Sequence, residues 1–370
     1  MDQVYKEKAL CCGCGACKSA CPYGAIEMEP DEEGFLYPVI RKELCRDCGL
    51  CQKICPFPEG KGVGSEPIFY LAKHKDARVL SLSTSGGAFT ALSDAVLRRG
   101  GAVYGAVLDE NLQVCHARAV TPEERDPMRV SKYVQSRLGD TFSQIKADLL
   151  EGRPVLFTGT PCQNAGLRTS LGALGEKDEL VCCDVICYGI PSPGVWEAYK
   201  KLLEQERGGK LKWVSFRSKA LGWSRVGSNK IFQYQTSTMP VRGEDPRFYQ
   251  MFFENRSIIR LSCGNCPYPQ PHRCTDVTIA DYWGIEKFAP RAYDSRGVSL
   301  ILVSTPKGER LLKECAGDLM LEQRSAEEAL SQQGRLQGPV QLPENRQEFW
   351  HILREEGLEK ALFWAFQEKK

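Results

Sequence analysis

Twice, from Cys11 and again from Cys45, the chain writes Cys-x-x-Cys-x-x-Cys-x-x-x-Cys-Pro. The first copy is Cys11, Cys14, Cys17, Cys21 and Pro22; the second is Cys45, Cys48, Cys51, Cys55 and Pro56. Thiols spaced this tightly oblige the backbone to wrap a metal centre. Gly15 and Gly49 recur inside the copies, where side chains are expected to crowd that centre, and Tyr23 and Phe57 follow the prolines. A zinc ribbon wants two Cys-x-x-Cys pairs per ion, not a triplet plus a lone Cys-Pro. Four-iron, four-sulfur clusters suit the spacing, and with them electrons moved one at a time.

The run resembles the bacterial ferredoxin signature, in which three close thiolates hold one cluster and the fourth cysteine crosses to the other. The resemblance implies a first 4Fe–4S cluster on Cys11, Cys14, Cys17 and Cys55. It implies a second on Cys45, Cys48, Cys51 and Cys21.

With 370 residues, most of the chain lies beyond such a module and is long enough for a real core. The start, MDQVYKEKALCC, has no apolar signal-peptide core, and no run approaches the ~18 apolar residues of a membrane span. Metal-spaced cysteines without an export signal predict a reducing cytoplasm. Neither nucleic acid nor direct membrane insertion is expected. The charge is uneven: an acidic run covers Glu27, Glu29, Asp31, Glu32 and Glu33, while residues 200–230 are rich in Lys and Arg. Each reads as a solvated face, the basic one alternatively as a surface for an anionic tail or acidic partner.

The predicted fold class is α+β: a small ferredoxin-like module (1–58), a Pro/Gly-rich linker (59–67), a larger mixed α/β domain (68–305) and a helical C-terminal end (306–370). Strand patterns fall at 68–73, 102–108, 153–157, 180–186, 212–217, 230–236, 277–280 and 298–304. Helical patterns fall at 85–99, 141–151, 195–205 and, as an amphipathic pair, 346–367. There is no G-x-G-x-x-G and no G-x-x-x-x-G-K-[ST].

A second cysteine constellation lies outside the repeat. Cys263 and Cys266 form a Cys-x-x-Cys, followed by Cys274, while Cys162 and Cys187 each end a predicted strand. Ligands bind at the carboxyl ends of α/β strands. The reading is therefore a third site from Cys162, Cys263, Cys266 and either Cys187 or Cys274. Cys12, Cys115, Cys182, Cys183 and Cys315 read as buried, inert thiols. His74, His116, His272 and His351 have no ligand spacing and read as structural.

Six motifs then occur in order: Ser85-Gly86-Gly87-Ala88-Phe89-Thr90, Ser131-Lys132-Tyr133-Val134-Gln135-Ser136, Thr158-Gly159-Thr160-Pro161-Cys162-Gln163, the segment from Phe216 to Trp223, Cys263-x-x-Cys266, and the segment from Asp276 to Gly284. They resemble the β-subunit family of coenzyme F420 hydrogenases and dehydrogenases. The resemblance implies an FAD in the α/β domain beside a third 4Fe–4S cluster on Cys162, Cys187, Cys263 and Cys266. It implies flavin contacts from Ser85, Gly86, Gly87, Lys132, Tyr133, Gln135, Ser136, Thr158, Gly159, Thr160 and Gln163. The Ser85-Gly86-Gly87 helix start suits a pyrophosphate, and Lys132 suits the anionic edge of a reduced flavin. Lys132 and Lys219 are the candidate catalytic residues, with Lys219 and Trp223 on the substrate face.

The expected function is an iron–sulfur flavoprotein oxidoreductase exchanging a hydride with coenzyme F420 or another small organic molecule. Its expected partners are ferredoxin or another redox protein, or a larger oxidoreductase complex. The alternatives are a non-catalytic relay subunit of a hydrogenase or dehydrogenase, or a ferredoxin-fed reductase unrelated to F420.

Overall fold

The structure, a computed structural model, describes residues 3–57, 66–217, 219, 222–223, 232–239 and 242–367. Most of the expected linker, the motif residues Ser218, Ala220 and Leu221, and the start of the strand expected at 230–236 lie outside the described residues. The N-terminal module carries an antiparallel hairpin, β1 (Ile26–Pro30) and β2 (Leu36–Ile40).

Behind it stand β3 (Ile68–His74), β4 (Ala102–Leu108), β5 (Val114–Ala119), β6 (Val155–Gly159), β7 (Leu180–Val185), β8 (Leu211–Ser215), β9 (Phe232–Thr236), β10 (Gly243–Asp245), β11 (Val277–Asp281), β12 (Ser299–Val303) and β13 (Leu319–Arg324). Eight of these form one mixed sheet in the order β13-β3-β12-β11-β7-β6-β4-β5, and β10-β9-β8 form a small antiparallel sheet. β4, β6, β7 and β11 are mutually parallel at the centre, with antiparallel strands outside them.

The central strands read as continuous apolar runs because both faces are covered. Successive side chains alternate between faces. Val103, Leu156, Val181 and Val277 pack against Leu92 and Val96 of the helix Ala88–Arg98 and Leu311 of the helix Pro306–Glu314. Tyr104, Phe157 and Cys182 pack oppositely, against Ile145 of the helix Thr141–Leu150 and Leu167 of the helix Pro161–Leu171.

One expectation is corrected: the segment 306–370 is not wholly helical, because β13 joins the sheet edge against β3. Phe35 and Tyr37 of the N-terminal hairpin share one core with Trp196, Phe216, Phe248 and Trp350.

Candidate functional site

Each copy of the cysteine run makes a short helix, Ala16–Ala20 and Leu50–Lys53, preceded by Gly15 or Gly49 in the left-handed region at φ 73° and 72°. A Cβ at Gly49 would meet nothing, and at Gly15 only Leu138 at 3.7 Å. The left-handed turn by itself calls for glycine at both positions. These turns aim the sulfurs into two cavities. One is lined by Cys11, Cys12, Cys14, Cys17 and Cys55, the other by Cys21, Cys45, Cys48 and Cys51. Each cavity gathers the four cysteines of one expected crossover set, with Cys12 as an added thiol in the first.

A third group of thiols gathers at the carboxyl ends of β6 and β7. Cys162 lies in the first turn of the helix Pro161–Leu171, which Pro161 and the reciprocal Thr160–Gln163 capping box start directly after β6. Cys187 follows β7, and Cys263 lies in the helical turn Leu261–Asn265. Cys263 feels the charges of Cys187, Cys162 and Cys266, and Cys187 those of Cys162 and Cys266. Cys274 is buried beside this group, on the small core against which Cys162 and Cys266 pack, but its thiol is taken: it donates to the Pro161 carbonyl at 3.3 Å, with Asp184 and Arg273 as its charged neighbours.

Burial governs most of these thiols. It pushes Cys11 and Cys266 up to about 11 and Cys187 to about 12, and raises Cys17 and Cys263. Such thiols ionise when a cationic centre supplies the missing charge, so the donor chemistry fits iron–sulfur clusters. Cys12 is the exception to the inert reading. Half-buried, it lines the first cavity beside Cys14 and packs on the same small core of Phe57, Ala165, Tyr268 and Cys274 as Cys162 and Cys266, so it lies next to the first and third groups at once. The neighbouring Cys12 thiol draws Cys14 down and brings Cys162 down to about 7 against burial. Gly166 packs on the same spot, where a Cβ would come within 2.8 Å of the Cys14 sulfur.

Part of the expected flavin set falls along the same end of the sheet. Ser85 donates to the Val298 carbonyl at 2.8 Å, and Gly86 N donates to Ser299 Oγ at 2.9 Å. A Cβ on Gly86 would lie 2.5 Å from both the Ala72 oxygen and the Ser299 nitrogen, so only glycine fits there. Thr84 Oγ1 accepts from Ser131 N at 3.1 Å, which ties this turn to the Ser131–Ser136 segment.

Lys132 Nζ donates to the Ala106 carbonyl at 2.8 Å and to that of Pro127 at 2.5 Å, and burial brings it down to about 7. Lys219 Nζ donates to the carbonyls of Leu80 at 3.1 Å, Ser85 at 3.0 Å and Arg296, and burial brings it to about 8. Trp223 stacks on Trp283 at 4.9 Å and donates to Asp281 Oδ1 at 2.6 Å, while Arg217 takes Asp281 Oδ2 at 2.6 Å.

Other members of the set face elsewhere. Tyr133 packs among Phe216, Tyr249, Phe252 and Phe253. Gln135 Oε1 accepts from Leu36 N of the hairpin at 3.0 Å, so it fastens the N-terminal module to the sheet domain. Thr158 Oγ1 donates to the Tyr104 carbonyl, and Gly159 lies against Phe157 and Gln163.

His116, which sequence spacing did not mark as functional, bridges Ser136 Oγ at 2.8 Å and the Thr158 carbonyl at 3.0 Å. Burial depresses it to about 4. The unfolded chain binds its proton near 6.5 and the folded one only near 4, so His116 supports the fold above pH 6.5 and that support is lost as pH falls toward 4. Urea midpoints measured across pH 7 to 4 are expected to fall more steeply for the native chain than for His116→Gln. Parallel profiles would remove this role.

Among the described residues, no helix is long and apolar enough to cross a membrane. No curated protein matches the chain. A chain of the F420-reducing NiFe hydrogenase complex from Methanosarcina barkeri is similar at 16% identity, over 84% of this chain and 93% of that one, with a TM-score of 0.47. Residues 152–329 match the family described as the C terminus of the coenzyme F420 hydrogenase/dehydrogenase beta subunit, and residues 10–58 match the 4Fe-4S dicluster domain. The third thiol group, from Cys162 to Cys266, lies wholly within the first match, and the doubled run lies within the second. Residues 152–329 thus belong to the F420 hydrogenase/dehydrogenase β-subunit family, carried behind a 4Fe–4S dicluster domain.

Proposed function

We propose that this chain is an iron–sulfur flavoprotein oxidoreductase with three cysteine quartets in series leading to an FAD site at the carboxyl end of the main sheet. The outer quartet is Cys21, Cys45, Cys48 and Cys51. The middle one is Cys11, Cys14, Cys17 and Cys55, and the inner one Cys162, Cys187, Cys263 and Cys266. The observation that carries the reading is Cys12, which lines the cavity of the middle quartet and packs on the same small core as Cys162 and Cys266 of the inner one. When bound, four-iron clusters carry single electrons, and a flavin converts them to a hydride exchanged with a small organic acceptor or donor, F420 among them.

The residues of this chain supply enclosure and charge for that chemistry. Lys132 and Lys219 offer half-buried amines, brought by burial to about 7 and about 8, which an anionic ring edge or an anionic substrate would hold in the charged form. Ser85, Gly86 and Gly87 begin a helix, and Ser136, Thr158, Gly159, Thr160 and Gln163 offer small or polar groups at strand ends. Gln135 and Tyr133 support the site from behind, between the module and the aromatic core. The domain plan is a cluster module over 1–58, a linker over 59–67, the flavin and inner-cluster domain over 68–305 and a C-terminal region over 306–370. A reducing cytoplasm suits these thiols.

Reconstituted chain is expected to bind one FAD noncovalently. Lys132→Ala is expected to weaken binding by about tenfold or more, the scale of one lost charged hydrogen bond of ~1.5–3 kcal/mol. Absent flavin affinity in the reconstituted native chain would remove the FAD part of the proposal. A second reading is favoured by the subunit family matched and by the exposure of Cys48 and Tyr23 at the outer quartet. It makes the chain a relay subunit docked to a ferredoxin, another redox protein or a larger oxidoreductase complex. Substrate-dependent turnover by the isolated, flavin-loaded chain separates the enzyme from the relay.

A further inference from the structure

We infer that Arg260 is the shared counter-charge of the middle and inner quartets and holds both at higher reduction potentials than their thiolates alone would give. The inference rests on the three-quartet reading proposed above. Arg260 lies three residues before Cys263 and is 1% exposed. Its Nε donates to the Cys11 carbonyl at 2.9 Å, its Nη2 lies 3.9 Å from the Cys11 sulfur, and its Nη1 donates to Gln135 Oε1 at 3.4 Å. The guanidinium is 3.9 Å from the Tyr37 ring centre and 5.4 Å from that of Phe35. Among the described residues no carboxylate pairs with it; carbonyl, amide, sulfur and aromatic faces surround it.

A guanidinium stays charged at any working pH, and an unpaired buried charge is costly. The groups able to balance it are the thiolates on either side: its guanidinium reaches the Cys11 carbonyl and sulfur and lies against the Gly13 turn of the middle quartet, while its own carbonyl accepts from Cys263 N of the inner quartet at 3.0 Å. Arg260 thus stands between two quartets whose loaded forms are net anionic. Reduction adds one more negative charge to a cluster, and a fixed cation a few ångströms away stabilises that state. Charge near the cluster and hydrogen bonds to its sulfurs are the protein's controls on potential. The outer quartet is lined by Arg46 and lacks this contact, so the effect separates the two deeper quartets from the outer one. Gln135 holds the guanidinium in place and also receives Leu36 N of the hairpin.

The test is an EPR-monitored redox titration of the full, anaerobically reconstituted chain, with Cys48→Ser identifying the outer signal. Arg260→Gln is expected to lower the middle and inner midpoints by at least ~59 mV, tenfold in a one-electron equilibrium. It should leave the outer midpoint unchanged and the iron content full. Arg260→Lys, which keeps the charge, should recover most of the shift. Gln135→Glu leaves Arg260 in place but neutralises it and should shift the same two midpoints in the same direction. If Arg260→Gln loses iron, Gln135→Glu decides. Unmoved midpoints in an iron-replete variant, or an outer midpoint that moves equally, would overturn the assignment. A native chain that takes up no iron overturns the underlying three-quartet reading instead, and the iron assay shows this before any variant is made.

Discussion

Arg346→Ala is expected to lower the stability of the fold by about 3–5 kcal/mol, the range for removing one partner of a buried ion pair. Arg346 opens the helix Arg346–Glu356, and its Nη1 donates to Glu33 Oε1 at 2.6 Å while Nη2 takes Glu33 Oε2. Nε and Nη2 also donate to the Ile259 carbonyl at 3.2 and 3.0 Å. The two side chains are only 4% and 8% exposed. One guanidinium therefore joins the N-terminal module, the segment entering Arg260 and Cys263, and the C-terminal helices. Alanine leaves a buried carboxylate and a carbonyl without donors, so the loss exceeds the net value of the pair itself. The double variant Glu33→Gln/Arg346→Met should regain part of the loss. Urea unfolding measures all three proteins, and a change below about 1 kcal/mol for Arg346→Ala would contradict this account of the interface.

Serine at Cys162, Cys187, Cys263 or Cys266 is expected to remove one four-iron cluster, taking the chain from about twelve irons to about eight. Cys274→Ser should keep all of them, because the Cys274 thiol is engaged by the Pro161 carbonyl. Iron retained in Cys187→Ser but lost in Cys274→Ser would transfer the fourth position to Cys274. Substitution suits this question better than deletion of the first sixty residues. Phe35 and Tyr37 sit in the main aromatic core, and Gly34 packs so closely on Gly194 that a Cβ would lie 2.5 Å from its nitrogen. A truncated chain would expose that core.

The cysteine groups were largely legible in the sequence because their spacing is local: a triplet of thiols and a lone Cys-Pro decide the backbone path within a few residues. The inner group was legible for a related reason, since Cys162 and Cys187 follow apolar runs that had to be buried strands with their carboxyl ends on one side. The glycines within the repeats carry two reasons in one letter, since positive φ and lack of space beside a bound centre look the same in a sequence. β13 was missed because its pattern, LMLEQR, alternates too weakly at a sheet edge to stand out beside the helical segments around it. Arg260 and Arg346 carry no local signal at all: their partners Cys11 and Glu33 lie 249 and 313 residues away in the chain. Cys12 shows the same limit, since a doubled Cys11-Cys12 does not reveal that the second residue will share a small core with Cys162.

The central claim is that this chain holds three four-iron clusters in series, two from the repeat and one at the carboxyl end of the sheet. Iron and acid-labile sulfide counted per chain in anaerobically purified, reconstituted protein test it most directly. The account predicts about twelve of each, falling to about eight in Cys162→Ser while the repeat's clusters remain. About eight in the native chain, unchanged in Cys162→Ser, or zinc in place of iron at the inner thiols, would contradict it.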